Sequence, residues 1–136
     1  MYLFEEKIRN ENILYDSNIF RISSNDELTN LNLISTDYLV TAGFGFKLPA
    51  NILLLGRKGS INVHPSLLPR WKGPDPIRNM ILSDDNFLGV TIHEMNHKYD
   101  SGRIIDQLVI PNDRRTTYSE YILSLGNSGG EMIASI

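Results

Sequence analysis

Apolar and polar residues alternate along this chain in two rhythms, one for strands and one for helices. "DYLVTAGF" (37–44) is a compact apolar run ended by glycine, the pattern of a strand buried on both faces. "LPANILLL" follows, with Pro49 suited to the start of a helix. "SINVH" (60–64) reads as a second short strand, and the 17 residues between the runs (43 to 59) suffice for a helical crossover between parallel strands. Further on, "GPDPIRNMILSDD" (73–85) sets Ile77, Met80 and Ile81 at helical spacing. "LGVTIHEM" (88–95) alternates, with Leu88, Val90 and Ile92 on one face and Thr91, His93 and Met95 on the other. "GRIIDQLVI" (102–110) alternates in the same way. "TTYSEYILSL" (116–125) places Tyr118, Tyr121, Ile122 and Leu125 on one helical face. "GNSGG" interrupts that helix, with Met132, Ile133 and Ile136 adding a final turn.

The first 18 residues are charged and Asn-rich, and their periodicity is weak. "IFRIS" (19–23) is a short strand, and Asn25-Asp26 offers a cap for a helix over "ELTNLNLI", where Leu28, Leu31 and Leu33 or Ile34 share a face. Together these elements predict an α/β domain spanning 1–136, with parallel strands first and a strand–loop–strand pair later.

A length of 136 residues bounds the chain to one domain with one core. At 41% apolar and 21% charged residues it has the composition of a soluble globular protein. A formal net charge of -3 gives no electrostatic reason to expect nucleic acid or an anionic membrane as partner. The chain has no cysteine, which removes disulfides, thiolate metal ligands and a cysteine nucleophile. No apolar stretch reaches a membrane span, and "MYLFEEKIRNEN" is too charged for a secretory signal. The expectation is a cytoplasmic protein.

Candidate chemistry lies at one strand end, in "INVHPSLLP" (61–69). Residues two apart on a strand share a face, so Ser60, Asn62 and His64 point the same way. Open α/β sheets bind ligands at the carboxyl ends of their strands, and Pro65 ends the strand there. An amide donor and an imidazole would thus converge on one point, although a backbone cap and a filled niche explain the same two residues. In "HKYDSG" (97–102) Asp100 either caps a turn or orients an imidazole and raises its pKa.

The strings "INVHPSLLPRWKGPDPI", "GVTIHEM" and "YDSGRIIDQ" resemble the folate-dependent N-formyltransferases, whose members formylate glycinamide ribonucleotide, initiator methionyl-tRNA or amino-sugar nucleotides. The resemblance runs from about residue 36 to 125. It is specific because the Asn-x-His-x-Ser-Leu-Leu-Pro string is followed by Asp-Ser-Gly with its aspartate 36 residues after the histidine (100 minus 64). It implies a Rossmann-like, mostly parallel sheet flanked by helices and 10-formyltetrahydrofolate as formyl donor. Asn62, His64 and Asp100 are then the catalytic residues, with Asn62 and a protonated His64 stabilising the oxyanion and Asp100 keeping His64 charged.

"AGFGFKLP" (42–49) matches the segment that wraps the pterin, and "MNHKYD" (95–100) the loop closing its other side. Gly43, Phe44, Gly45, Phe46, Leu48, Asn96, His97 and Tyr99 are the folate-binding residues this implies. His93 matches a position often histidine in the family. Lys98 or His97 could meet the glutamate tail of folate, and Trp71 and Lys72 line the acceptor side or anchor a loop. His64, His93, His97 and Asp100 lack the close His pairing of a zinc site, so no metal is expected.

The chain also departs from the family. No early apolar strand with a Gly-x-Gly-like turn is evident, so the domain is expected to be shortened at its amino-terminal side. That leaves a parallel sheet edge for residues 1–23 or a second subunit to cover. The favoured acceptor is a small amine, such as a nucleotide-linked amino sugar, with no nucleic acid. Hydrolysis of formyltetrahydrofolate is the alternative, and a degenerate folate-binding or protein-interaction domain is the non-catalytic one.

Overall fold

The computed structural model describes residues 2–5, 19–22, 26 and 35–136. Strands β1 (Tyr2–Glu5) and β2 (Ile19–Ile22) pair in parallel as a two-stranded sheet. The first stretch, read as lacking a strand, therefore carries one: Tyr-Leu-Phe has high strand propensity, but its brevity among charged neighbours concealed it. The helix expected after Asn25-Asp26 lies outside the described residues, apart from Asp26.

The main sheet has the order β3 (Thr36–Ala42), β4 (Gly56–His64), β5 (Phe87–Glu94), β6 (Ile104–Pro111). β3 and β4 run parallel, joined through the short helix α1 (Ala50–Leu53); the β4–β5 and β5–β6 pairings are antiparallel. The α/β class expected from the sequence holds, with parallel pairing on the amino-terminal side of β4. β4 starts earlier than "SINVH" suggests, because Gly56 and Gly59 carry an irregular entry: a Cβ on Gly56 would collide with the Gly59 carbonyl, and Gly59 has φ 146°.

One sheet face is covered by helices α2 (Pro76–Leu82) and α3 (Tyr118–Ala134). Ile77, Met80, Leu88, Val90, Tyr121 and Leu125 form a buried cluster there, with Val63 packed against it. α3 begins with a capping box: the Thr117 side chain accepts from the Glu120 N–H, and Glu120 accepts from the Thr117 N–H. The expected break at "GNSGG" does not occur. Gly129 is buried where a Cβ would lie 2.5 Å from Val63 Cγ1, so the glycine permits close approach of helix and sheet. Tyr118 and Ile122, assigned to the packed face, are 46% and 43% exposed, and the buried stripe is Tyr121, Leu125 and Gly129.

On the opposite face Leu39, Leu48 and Ile52 are buried with Phe44, Phe46 and Met95 against them. β5, sandwiched between neighbours, is buried from Leu88 to His93 instead of on one face only, whereas edge strand β6 is mostly exposed. β3 forms the other edge, with Tyr38 and Val40 exposed. Among the described residues no helix is long and apolar enough to cross a membrane.

Candidate active site

Strand register assembles the site. Thr41 on β3 pairs with Asn62 on β4, and Asn62 with His93 on β5, so three polar side chains form one row on the same sheet face. Thr41 Oγ1 donates to Asn62 Oδ1 at 2.8 Å, while Asn62 Nδ2 meets His93 Nε2 at 3.1 Å. His93 Nδ1 lies 2.8 Å from the Glu94 carbonyl oxygen, which only accepts, so Nδ1 carries a hydrogen. In the neutral ring Nε2 then accepts from Asn62. This orients the amide completely: its oxygen is held by Thr41, one N–H by His93, and the second N–H is left for a ligand in the adjoining cleft.

Asp100 reaches the row from the β5–β6 loop, in a left-handed backbone conformation (φ 45°). Its Oδ2 accepts from the Gly73 N–H at 2.7 Å. Its Oδ1 lies 3.5 Å from His93 Nε2 and 3.6 Å from His64 Nδ1. Burial pushes the Asp100 pKa up, but the neighbouring His93, the Gly73 N–H and the nearby His64 outweigh it and hold the carboxyl below its ordinary value.

His64 departs from expectation. It shares the face of Asn62, yet it is only 5% exposed and its Nε2 sits 2.9 Å from the Trp71 carbonyl oxygen. His93 stands between the Asn62 amide and the carboxylate that His64 faces. Nor is His64 held charged. Desolvation lowers its pKa below the ordinary 6.5, more than the Trp71 carbonyl and Asp100 raise it.

The cleft beside this row is lined by Thr41, Asn62, His93 and Asp100 on its polar wall, and by Phe44, Phe46, Leu48, Leu53 and Met95 on its apolar wall. Phe44 and Phe46 meet edge to face, with centroids 5.6 Å apart, and are half-buried, so both serve core and cleft. Asn96, Tyr99, Lys47 and Lys98 complete the lining. Gly43, Gly45 and His97 neighbour lining residues in sequence without lining the cleft themselves; Gly43 makes the turn after β3 at φ 60°. Sequence reasoning missed Thr41 and undervalued His93. Their signal was the strand alternation that also singled out Asn62, but the cross-strand register was needed to use it.

Three comparisons with known proteins bear on this geometry. A family model described as formyl transferase matches residues 6–134. A methionyl-tRNA formyltransferase of Ehrlichia ruminantium (strain Welgevonden) is 37% identical over 116 residues, which cover 85% of this chain and 37% of the relative. Among solved structures, a phosphoribosylglycinamide formyltransferase from Campylobacter jejuni is 30% identical with a TM-score of 0.60, covering 71% of this chain and 50% of its own. A formyltetrahydrofolate deformylase from Pseudomonas syringae pv. tomato is 27% identical with a TM-score of 0.59, covering 71% and 32%. The chain spans half or less of the length of each of these three proteins.

Proposed function

The chain belongs to the formyl transferase family, and from that premise we propose that its cleft transfers a formyl group from 10-formyltetrahydrofolate to the amino group of an acceptor. The observation that carries this reading is the oriented Asn62 amide, with one N–H spare beside an apolar-walled cleft. The acceptor amine adds to the formyl carbon, and the carbonyl oxygen becomes an oxyanion that the spare N–H is placed to receive. Collapse breaks the bond to the folate nitrogen and leaves the formamide. The proton released by the amine passes to that departing nitrogen, with Asp100, the carboxylate that lines the cleft, placed to relay it and its ionised form held by the Gly73 N–H.

The apolar wall of Phe44, Phe46 and Leu48 suits a flat heterocycle. Exposed Lys47 and Lys98 at the rim suit the carboxylates of a glutamate tail. Phe44, Phe46, Leu48, Asn96 and Tyr99 are therefore the donor-binding residues of this proposal, with Gly43 and Gly45 shaping their loop.

Two acceptor classes deserve direct comparison. A small amine such as a nucleotide-linked amino sugar fits the -3 net charge. The aminoacyl ester of methionyl-tRNA is favoured instead by the 37%-identical relative. The test is release of tetrahydrofolate from 10-formyltetrahydrofolate with each acceptor, and without any, for wild type and Asn62→Ala. Acceptor-dependent release that falls about 10²–10³-fold in the variant is the expected result. Equal release without acceptor would replace transfer by hydrolysis, the activity named for the deformylase neighbour. Donor binding with no release in any arm would leave a binding domain.

A further inference from the structure

The loop from Pro65 to Pro74 carries a clamp that nothing above explains. Trp71 has φ 60°, a left-handed conformation that bulky residues rarely adopt and that persists only where surroundings impose it. The surroundings are specific. Asp85 Oδ2, beyond the end of α2, accepts from Trp71 Nε1 at 2.8 Å and from Arg70 Nε at 2.8 Å. The Arg70 guanidinium lies 4.6 Å from the Trp71 ring centroid. Asp85 is itself held, since its backbone carbonyl accepts from Asn112 Nδ2 at 2.8 Å. Fully buried Ser66 donates to the Arg70 carbonyl at 3.1 Å. The result is that the Trp71 carbonyl oxygen points inward at His64 Nε2.

A carbonyl oxygen only accepts, so His64 Nε2 must carry a hydrogen whatever the charge of the ring. The nitrogen left to gain or lose a proton is Nδ1, and Nδ1 is the atom facing Asp100 Oδ1. Without the Trp71 carbonyl the neutral ring would favour the opposite tautomer, with Nδ1–H donating to the carboxylate and Nε2 bare. We propose that Asp85 is a positioning residue: through Arg70 and Trp71 it holds the carbonyl that selects the His64 tautomer, and so makes Nδ1 the titrating atom beside Asp100. Its importance for turnover rests on the formyl-transfer reading, but its effect on His64 does not.

The test is therefore read first without substrate. In protein labelled with ¹⁵N-histidine, long-range ¹H–¹⁵N spectra above the His64 titration should show His64 protonated at Nε2 with Nδ1 bare. Asp85→Ala should move it to the Nδ1–H form or to a mixture, and Asp85→Asn, which can still accept from Trp71 Nε1, should restore much of the wild-type pattern. Trp71→Phe removes the indole donor while leaving the main chain and most of the aromatic surface, so it supplies the same test should Asp85→Ala fail to fold. Where formyl transfer is measurable, kcat should fall roughly ten- to hundredfold in Asp85→Ala, the scale of a slightly misplaced catalytic group, with little change in KM. A folded Asp85→Ala or Trp71→Phe protein that keeps the Nε2–H tautomer would overturn the proposal. The predicted tautomer shift in a protein with no transferase activity would leave it standing and remove the formyl-transfer reading instead.

Discussion

Gly102, the last residue of the Asp-Ser-Gly turn, tests whether the polar row works as one unit. Its φ is not in the left-handed region, so conformational freedom is not the reason for glycine here. The reason is contact: a methyl group at 102 would lie 1.7 Å from the Glu94 carbonyl oxygen and 2.6 Å from its carbon. Ordinary carbon–oxygen contacts begin at about 3.3 Å, so Gly102→Ala must push the two backbones about 1.6 Å apart. That carbonyl oxygen accepts from His93 Nδ1, and the Glu94 N–H donates to the Arg103 carbonyl oxygen at 2.9 Å. Displacing it releases the bond that sets the His93 tautomer, and with it the orientation of Asn62. Overpacking of this kind costs about 1–3 kcal/mol of stability. A shift of order 1 Å in a positioning contact costs about 10² in rate. Acceptor-dependent tetrahydrofolate release and thermal unfolding should be measured together for Gly102→Ala and, as control, Ser101→Ala. A Gly102→Ala protein within twofold of wild-type turnover, with an unchanged Tm, would refute the coupling from Gly102 through Glu94 and His93 to Asn62.

Three other outcomes are expected. Gly129→Ala should cost about 1–3 kcal/mol in denaturant titration, because its methyl group meets Val63 Cγ1 at 2.5 Å inside the helix–sheet interface. Lys47→Ala combined with Lys98→Ala should raise KM for the folate donor more at low salt than at high salt, with kcat little changed; a salt-independent KM would remove these lysines from donor binding. Acidification should destabilise the fold in two steps. His64 has its folded pKa below the ordinary 6.5 and Asp100 has its own below 3.8, so in both windows the unfolded chain binds more protons and stability rises with pH. Stability is thus highest above about pH 6.5, declines below it as the unfolded His64 protonates, and declines again below about 3.8 through Asp100. Thermal unfolding from pH 8 to pH 3 measures both, and His64→Gln should flatten the upper step.

The sequence by itself determined the α/β class, the strands around 37–44, 60–64, 88–95 and 102–110, and the residues Asn62, His64 and Asp100 as candidates. These are legible because burial imposes a period of two on strands and a strand end needs no polar side chains of its own. It could not say which neighbours those residues would have. That Asn62 meets His93 and Thr41 follows from strand register, and that His64 meets the Trp71 carbonyl follows from the path of the loop after β4; periodicity within one segment carries no information about either. The glycines of "GNSGG" were misread for the same reason. A local pattern takes glycine as a break, whereas at 129 it is the missing Cβ that admits a valine side chain. The pKa of His64 also reversed with tertiary context, since an aspartate nearby raises it but the surrounding protein that excludes water lowers it more.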